Sequence, residues 1–143
     1  MARGRHGARR LLVQALYQRQ LGGHSGVELV EQFSASREFR GIDAGYFRTL
    51  IGEITASEKS LDELIEAATD RPVAHLDPVE RGVLWVGLIE LRDHPDVPVR
   101  VVIDEAVQLT KEFGAQDGFR YVNAVLDSAA SRLRPAETGI NVR

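Results

Sequence analysis

Five arginines near the start of the chain are the residues best suited to contact a polyanion. No acid occurs in the first 27 residues, and the basic residues of this stretch are Arg3, Arg5, Arg9, Arg10 and Arg19. The stretch carries a charge of +5, and because the whole chain carries −3, the remainder carries −8. Guanidinium groups can neutralise phosphates, whereas an acidic body suits a basic protein partner. The clustering predicts a basic, phosphate-binding end, although charge alone fits a solubilising tail equally well.

Two tyrosines add a second kind of chemistry. Tyr17 follows the arginines, and Tyr121 stands next to Arg120. A tyrosine face can stack on an unpaired base, at about 1–3 kcal/mol for each base. Both tyrosines also belong to amphipathic helical patterns, in which an aromatic residue is more often part of the core or its boundary. From the residues alone, this second interpretation is favoured.

The residue types that catalysis or metal binding requires are scattered or absent. The sequence has no cysteine, which excludes disulfides, thiolate metal sites and a cysteine nucleophile. Its histidines, which show no metal-ligand spacing, are His6, His24, His75 and His94. Adjacent acids such as Asp104 and Glu105 are typical of a solvated helix face. We therefore expect no enzymatic activity, no metal and no cofactor.

The composition indicates an ordinary globular protein of a reducing compartment. A hydrophobic content of 43% in 143 residues suffices for one domain with a sizeable core. No apolar run approaches the length of a membrane span. The short apolar run 11–13 is broken by Gln14, and no cleavage site follows it. We therefore expect a cytoplasmic protein without a membrane segment.

The elements that must position these residues are predicted to be helices. Apolar residues recur at helical spacing between caps and glycines. The predicted helices run from Ala8 to the glycine pair at 22–23, over 27–34 with Ser25 as a possible cap, from a cap at Asp43, from a cap at Ser60, from a cap at Asp77, from Pro98 to Gly114, and from Asp117 to the residue before Pro135. Residues 1–7 are predicted to be a mobile basic arm and residues 136–143 a frayed tail. We expect an all-α fold of about seven helices, in two small halves (8–70 and 71–135) packed as one compact domain over 1–143.

The stretch 77–91 is expected to be the central helix. Asp77 can cap it, Pro78 fits its first position, and Glu80 stands where a capping box needs an acid. The rest of the stretch is apolar almost all round the helix, which is typical of a helix enclosed by others. Gly87 weakens such a helix by about 1 kcal/mol, a cost usually tolerated where a neighbouring backbone comes close.

The second half of the chain carries a family resemblance. Residues 96–114, DVPVRVVIDEAVQLTKEFG, resemble the segment DVPYKVVINEAIELAKKFG of the NusB family of bacterial antitermination factors. Residues 119–127, FRYVNAVLD, are similar to the family's KFVNGVLD. Looser matches lie upstream, at residues 8–10 and 14–17 and at the pair 80–81. The resemblance covers nearly the whole chain, in the right order and spacing.

The resemblance implies an all-helical RNA-binding protein. NusB proteins pair with NusE, a small-subunit ribosomal protein, and together they hold the single-stranded boxA RNA of ribosomal operons. This assembly joins the RNA polymerase antitermination complex, so that transcription passes terminators. We therefore expect boxA RNA, NusE and that complex as partners. The family contains monomers and also homodimers that cover the RNA surface, which leaves the oligomeric state open.

The resemblance also implies roles for individual residues. In the family the arginine-rich N-terminus and the start of the last helix lie near the RNA, and NusE docks against the second half. The positions implied for RNA contact, together with the neighbouring basic residues of the arm, are Arg3, Arg5, His6, Arg9, Arg10, Tyr17, Asp117, Arg120 and Tyr121. The positions implied for partner contact are Glu80 and Arg81. Asp117 is first expected to be a helix N-cap, and Glu80 a capping-box residue, whatever else they do.

Two other classes of function compete with this interpretation. One is a helical protein-interaction module whose arm never meets RNA, which salt-dependent RNA affinity would distinguish. The other is an RNA cytosine methyltransferase, because a NusB-like domain also occurs fused to such enzymes. A chain of 143 residues without cysteine offers neither the cofactor-binding fold nor the nucleophile, so we do not expect that activity.

Overall fold

The computed structural model describes the backbone from Ala2 to Val142 and the side chains from Gly4 to Thr138. This part of the chain contains eight α-helices and no strand, which confirms the all-α prediction. In chain order the helices are α1 (Ala2–Gly22), α2 (Gly26–Ser34), α3 (Ala44–Thr55), α4 (Glu58–Ala68), α5 (Pro78–Asp93), α6 (Val99–Phe113), α7 (Gly118–Leu133) and α8 (Pro135–Val142), with 3₁₀ turns at Arg37–Phe39 and Val73–His75.

Helix α5 is the centre of the fold, as the sequence predicts. Asp77 caps it by accepting a hydrogen bond at 2.7 Å from the N–H two residues later, and Pro78 occupies its first position. Every residue from Gly82 to Leu91 is buried, and helices α1, α3, α4, α6 and α7 all pack against it. A Cβ atom at Gly87 would lie 3.0 Å from the side chain of Leu126 on α7. The glycine therefore allows these two helices to approach closely.

Most of the predicted helix caps are formed. Ser25 accepts a hydrogen bond from the N–H of Glu28 at 3.1 Å, and the Glu28 carboxylate accepts one from the Ser25 N–H at 2.8 Å, which completes a capping box. Asp43 caps α3 in the predicted way. Helix α4 begins before the predicted cap Ser60, whose hydroxyl donates instead to the backbone oxygen of Ser57 at 3.0 Å.

Helix α1 begins at Ala2, so the predicted helix start is six residues too late and residues 2–7 are not an arm outside the helix. The Gly4 carbonyl oxygen accepts a hydrogen bond at 2.9 Å from the N–H of Asp43. A Cβ atom at Gly7 would collide with the same segment before α3. Contact with the segment before α3 thus stabilises the first turns of α1, although their glycines disfavour a helix locally. No pattern within residues 2–7 indicates this contact.

Helix α8 occupies the stretch that was predicted as a frayed tail. Pro135 fits its first turn, and the Glu137 carboxylate accepts a hydrogen bond from the Val99 N–H at 2.8 Å, which satisfies a donor at the start of α6. Arg134 is buried and donates to Glu137 at 3.0 Å. The guanidinium of Arg134 also satisfies backbone carbonyls at and after the end of α5, namely those of Glu90, Leu91, His94 and Val97. The prediction of a frayed tail is therefore wrong through Val142.

Candidate functional site

Arg9, which the family resemblance assigns to phosphate contact, lies in the interior. Only 4% of its surface is exposed, and its guanidinium donates to Glu90 at 2.8 Å and to Glu105 at 3.3 Å. Glu90 is itself 1% exposed and also accepts a hydrogen bond from the hydroxyl group of Tyr46. Arg9 in this conformation neutralises a buried carboxylate of the central helix, where a lone charge would be costly.

The buried carboxylate fixes the protonation of Arg9 and of Tyr46. Burial by itself lowers the pKa of Arg9, but the Glu90 carboxylate outweighs it, with help from Tyr46 and Glu105, and the net pKa is raised. Burial and the Glu90 charge raise the pKa of Tyr46. Arg9 therefore stays charged and the Tyr46 hydroxyl stays a donor, so the cluster joins α1 to α5 and α3 throughout the physiological pH range.

The other described basic residues in the first turns of α1 are also matched with acids. Their side chains are about one-third exposed, in contrast to that of Arg9. The pairs are His6 with Glu105 at 2.8 Å, Arg5 with Asp96 at 3.5 Å and with Asp43 at 3.9 Å, and Arg10 with Glu112 at 2.6 Å and with Glu38 at 3.6 Å. The side chain of Arg3 lies outside the described residues. The acidic body thus neutralises much of the basic end of the same chain.

Tyr17 lies further along α1 and faces solvent. Its side chain is 42% exposed, so the expectation of a core or boundary aromatic is wrong. It lines an open groove of about 700 Å³ between α1 and the ends of α2, α5 and α6. Leu21, Phe33, Val79 and Phe113 contribute apolar walls to this groove. An unpaired base could reach the ring of Tyr17 without any rearrangement of the helix.

The start of α7 shows the reverse arrangement of arginine and tyrosine. The Arg120 side chain is 77% exposed, and its ion-pair contact is with Asp117 at 3.7 Å. Tyr121 is half-buried, and its hydroxyl is enclosed without a hydrogen-bond partner among the described residues. The Arg71 guanidinium lies 4.2 Å from the centre of the Tyr121 ring. Here the cation is accessible and the aromatic ring is largely covered.

Asp117 stands at the N-cap position of α7 but does not cap it with its side chain. An N-cap residue normally has an extended backbone. Asp117 instead has a φ of 68°, in the left-handed region, and its carboxylate accepts no hydrogen bond from the first turn of the helix. The predicted capping role is therefore wrong, and the carboxylate faces Arg120 instead.

Lys111 and Phe119 are surface residues that the sequence reasoning missed. The Lys111 ammonium lies 4.6 Å from the centre of the Phe119 ring, and the Arg120 guanidinium lies 5.7 Å from it. We call these three residues the corner cluster, because they lie where the chain turns from α6 into α7. The neighbouring pair 119–120 is a visible basic and aromatic signal, but Lys111 joins it only because α6 ends at Phe113 and the chain turns back.

Glu80 and Arg81, implied for partner contact, have different surroundings. Glu80 is 6% exposed, and its carboxylate accepts no hydrogen bond from the described residues, so the predicted capping box is not formed. Burial, and then the charge of Asp77, raise the pKa of Glu80. A Cβ atom at Gly118 would collide with this carboxylate, which places Glu80 against the start of α7. Arg81 is occupied, because it donates to Asp62 at 2.5 and 3.2 Å.

The described residues contain no group of three potential ligands arranged to hold a metal ion. Two histidines are instead engaged with single carboxylates, His6 with Glu105 and His94 with Glu53. None of the helices in the described part combines the length and the apolar character that crossing a membrane requires.

The sequence matches the model of the NusB family over residues 6–131. The transcription antitermination protein NusB of Alcanivorax borkumensis is 45% identical to it over 133 residues, which cover 93% of this chain and 89% of that protein. The corresponding protein of Halorhodospira halophila is 48% identical over 134 residues, covering 92% of this chain and 86% of that protein.

Comparison of the fold with solved structures gives the same result as comparison of the sequence. A structure of T. maritima NusB superposes with a TM-score of 0.84 at 25% identity, over 94% of this chain and 96% of that chain. A chain in a crystal structure of the antitermination factors NusB and NusE with double-stranded RNA superposes with a TM-score of 0.78 at 27% identity, over 92% of this chain and 99% of that chain. Sequence and fold agree, and this chain belongs to the NusB family.

Proposed function

We propose that this protein is a transcription antitermination factor that binds single-stranded boxA RNA of ribosomal RNA operons together with NusE and acts in the RNA polymerase antitermination complex. The observation that carries the proposal is the likeness to a chain from a complex of NusB, NusE and RNA, with a TM-score of 0.78 over 92% of this chain. The role requires two binding surfaces, one for RNA and one for NusE, and no catalytic group.

The RNA surface is proposed to extend from the groove beside Tyr17 to the corner cluster. Tyr17 offers an exposed ring on which a base can stack. Lys111 and Arg120 offer exposed cations for phosphates, held against the Phe119 ring. Arg10 adjoins the groove, since its guanidinium lies 5.1 Å from the centre of the Phe113 ring that lines it.

Arg9 is proposed to hold this surface in place from the interior of the protein. It binds Glu90 on the central helix and Glu105 on α6, and so holds α1, which also carries Tyr17, against both helices. Its loss would therefore displace the helix that presents Tyr17, rather than remove a phosphate contact. This proposed role replaces the direct contact that the resemblance implies for Arg9.

The NusE surface is proposed to lie at the start of α5. The Glu80 carboxylate accepts no hydrogen bond within the described residues, so it can accept one from a donor group of the partner. Residues 28–143 carry a charge of −8, which suits a basic ribosomal protein. Arg81 follows Glu80 and holds Asp62, which fixes the surface next to the docking point.

The test is RNA binding by fluorescence anisotropy, with labelled boxA RNA and with a scrambled RNA of equal length and composition. Each RNA is measured at two salt concentrations, with and without NusE. We expect binding that prefers boxA, weakens steeply with salt and strengthens with NusE. Absence of RNA binding under all four conditions would overturn the proposed function.

A helical protein-interaction module is the second candidate, and one observation favours it. Acids of the same chain engage the four described basic residues of α1 up to Arg10. If these pairs never open, these four residues cannot meet a phosphate. NusE binding without RNA binding in the same experiment would establish this second candidate.

A further inference from the structure

We infer that Glu112, assisted by Glu38, competes with RNA phosphate for the guanidinium of Arg10, so that RNA must displace a carboxylate before Arg10 can bind it. The inference rests on the proposed RNA-binding function. It assigns a new role to two acids, which set the affinity of the protein for RNA by occupying one of its cations.

In the pair of Arg10 and Glu112, a carboxylate occupies the guanidinium nitrogens that would bind a phosphate. Arg10 places two nitrogens on one oxygen of Glu112, Nε at 2.7 Å and Nη2 at 2.6 Å, and Nη1 lies 3.6 Å from Glu38. The hydrogen bond that Arg10 donates to Glu112 is also the main reason why the pKa of Arg10 is raised. A guanidinium fork that binds a carboxylate in this way can bind a phosphate equally well.

The exposure of Arg10 and its two acids makes such an exchange feasible. The side chains of Arg10 and Glu112 are 37% and 38% exposed, and that of Glu38 is 59% exposed, so an incoming phosphate can reach all three. Arg9 cannot exchange in this way, because its departure would leave Glu90 charged and buried. An exposed ion pair is weak enough for a multivalent polyanion to open it.

The position of Arg10 connects this exchange to the proposed RNA surface. Its guanidinium packs against the ring of Phe113, and Phe113 and Tyr17 line the same groove. An RNA strand with a base on Tyr17 therefore brings phosphates near Arg10. When Arg10 leaves Glu112, the carboxylate regains its hydration, which offsets part of the repulsion from the RNA.

The experiment is a double-mutant cycle on Arg10 and Glu112, with boxA RNA as the probe and NusE present. Wild type, Glu112→Gln, Arg10→Ala and the double variant are compared by fluorescence anisotropy over a range of salt concentrations. We expect Glu112→Gln to bind about two- to fivefold more tightly than wild type, the range that corresponds to an exposed ion pair. In the Arg10→Ala background the same substitution should leave the affinity unchanged.

Asp104→Asn is the matched control. It removes one negative charge from an exposed position of the same helix α6, and none of the described basic residues forms an ion pair with Asp104. We expect it to change the affinity less than Glu112→Gln. We also expect Glu112→Gln to steepen the dependence of log K on log salt by about one unit. Arg10 that is not paired with Glu112 holds a solvent anion instead, and this anion is released when RNA binds.

The outcomes separate this inference from the function on which it rests. If Glu112→Gln strengthens binding equally in the presence and absence of Arg10, the effect is general charge repulsion and the inference is overturned. If Glu112→Gln does not strengthen binding while wild type binds boxA RNA, the inference is overturned and the proposed function stands. If wild type does not bind RNA, both are overturned.

Discussion

Helix α1 and the start of helix α7 contain the same kinds of residue and use them in opposite ways. In α1 the described arginines up to Arg10 are bound by acids, while Tyr17 is exposed at the groove. At the start of α7, Arg120 is exposed, while the hydroxyl of Tyr121 is enclosed. One region therefore offers mainly an aromatic face, and the other offers mainly charge.

The acids that face the two regions also differ in whether a basic side chain binds them. Glu90 and Glu105 face α1 and are bound by Arg9, so their charges are compensated. Glu80 faces the start of α7 without a hydrogen bond from the described residues. The comparison teaches that a residue type acquires its role from what the neighbouring helices place opposite it.

The largest effect is expected where the arginine is buried. Arg9→Ala would leave Glu90 charged and nearly inaccessible, so we expect the free energy of unfolding to fall by about 3–5 kcal/mol. Urea denaturation followed by circular dichroism measures this loss. The control is Arg120→Ala, expected to change the free energy of unfolding by less than about 0.5 kcal/mol. Wild-type stability of Arg9→Ala combined with weaker RNA binding would restore Arg9 as a direct phosphate contact.

The tyrosines should differ in RNA binding. Tyr17→Ala removes an exposed ring, so we expect a loss of about 1–3 kcal/mol in the free energy of binding boxA RNA. Stability should change little, because the side chain is 42% exposed. Tyr121→Phe removes only an enclosed hydroxyl and should leave the RNA affinity unchanged. An equal loss of affinity in both variants would contradict the proposed division between the two regions.

The exposed cation of α7 is expected to act through salt-dependent attraction. Arg120→Ala should weaken binding to boxA RNA and to scrambled RNA by the same factor, since a phosphate contact carries no sequence information. It should also reduce the slope of log K against log salt by about one unit. Titrations at four salt concentrations measure both quantities. A change of preference between the two RNAs would instead indicate that Arg120 contacts a base.

The smallest effect concerns the acid beside α7 and depends on pH. Burial raises the pKa of Glu80 in the folded protein, so its ionisation at neutral pH costs stability, and stability is regained as the pH falls through the raised pKa. We expect Glu80→Gln to raise the melting temperature slightly at pH 7 and to lose this advantage below about pH 4. The same variant should bind NusE more weakly.

Glu66→Gln is the matched control for this pH dependence, because Glu66 is exposed on α4. We expect it to change the free energy of unfolding by less than about 0.5 kcal/mol at pH 7. If Glu80→Gln were less stable than wild type at pH 7, the ionised carboxylate would be making a favourable contact within the protein, and the proposal that it accepts a hydrogen bond from NusE would be wrong.

Much of the fold could be predicted because its signals are local. The cap at Asp77, the proline after it and the apolar circumference of the following turns predicted the central helix. The cap at Ser25 and the cap at Asp43 were also visible in the sequence. The first turns of α1 and the whole of α8 were missed, because contacts with distant segments stabilise them.

Less of the candidate site could be predicted, because accessibility is a tertiary property. Tyr17 and Tyr121 occur in similar amphipathic patterns, and the structure exposes one and covers most of the other. Lys111 reaches Phe119 only across the turn between α6 and α7. Neither the exposure of the two tyrosines nor the contact between Lys111 and Phe119 can be predicted from the residues one helical turn before or after them.

The sequence by itself determined the helical class, the central helix, the family and the contrast between a basic end and an acidic body, because periodicity, caps and composition act over a few residues. Only the tertiary structure decided which charges are accessible. The partner of Arg9 is Glu90, which lies 81 residues away in sequence, and that of Arg10 is Glu112, 102 residues away. Ion pairs at such separations form only when helices from both ends of the chain pack together, and the charge available to a ligand is what remains afterwards.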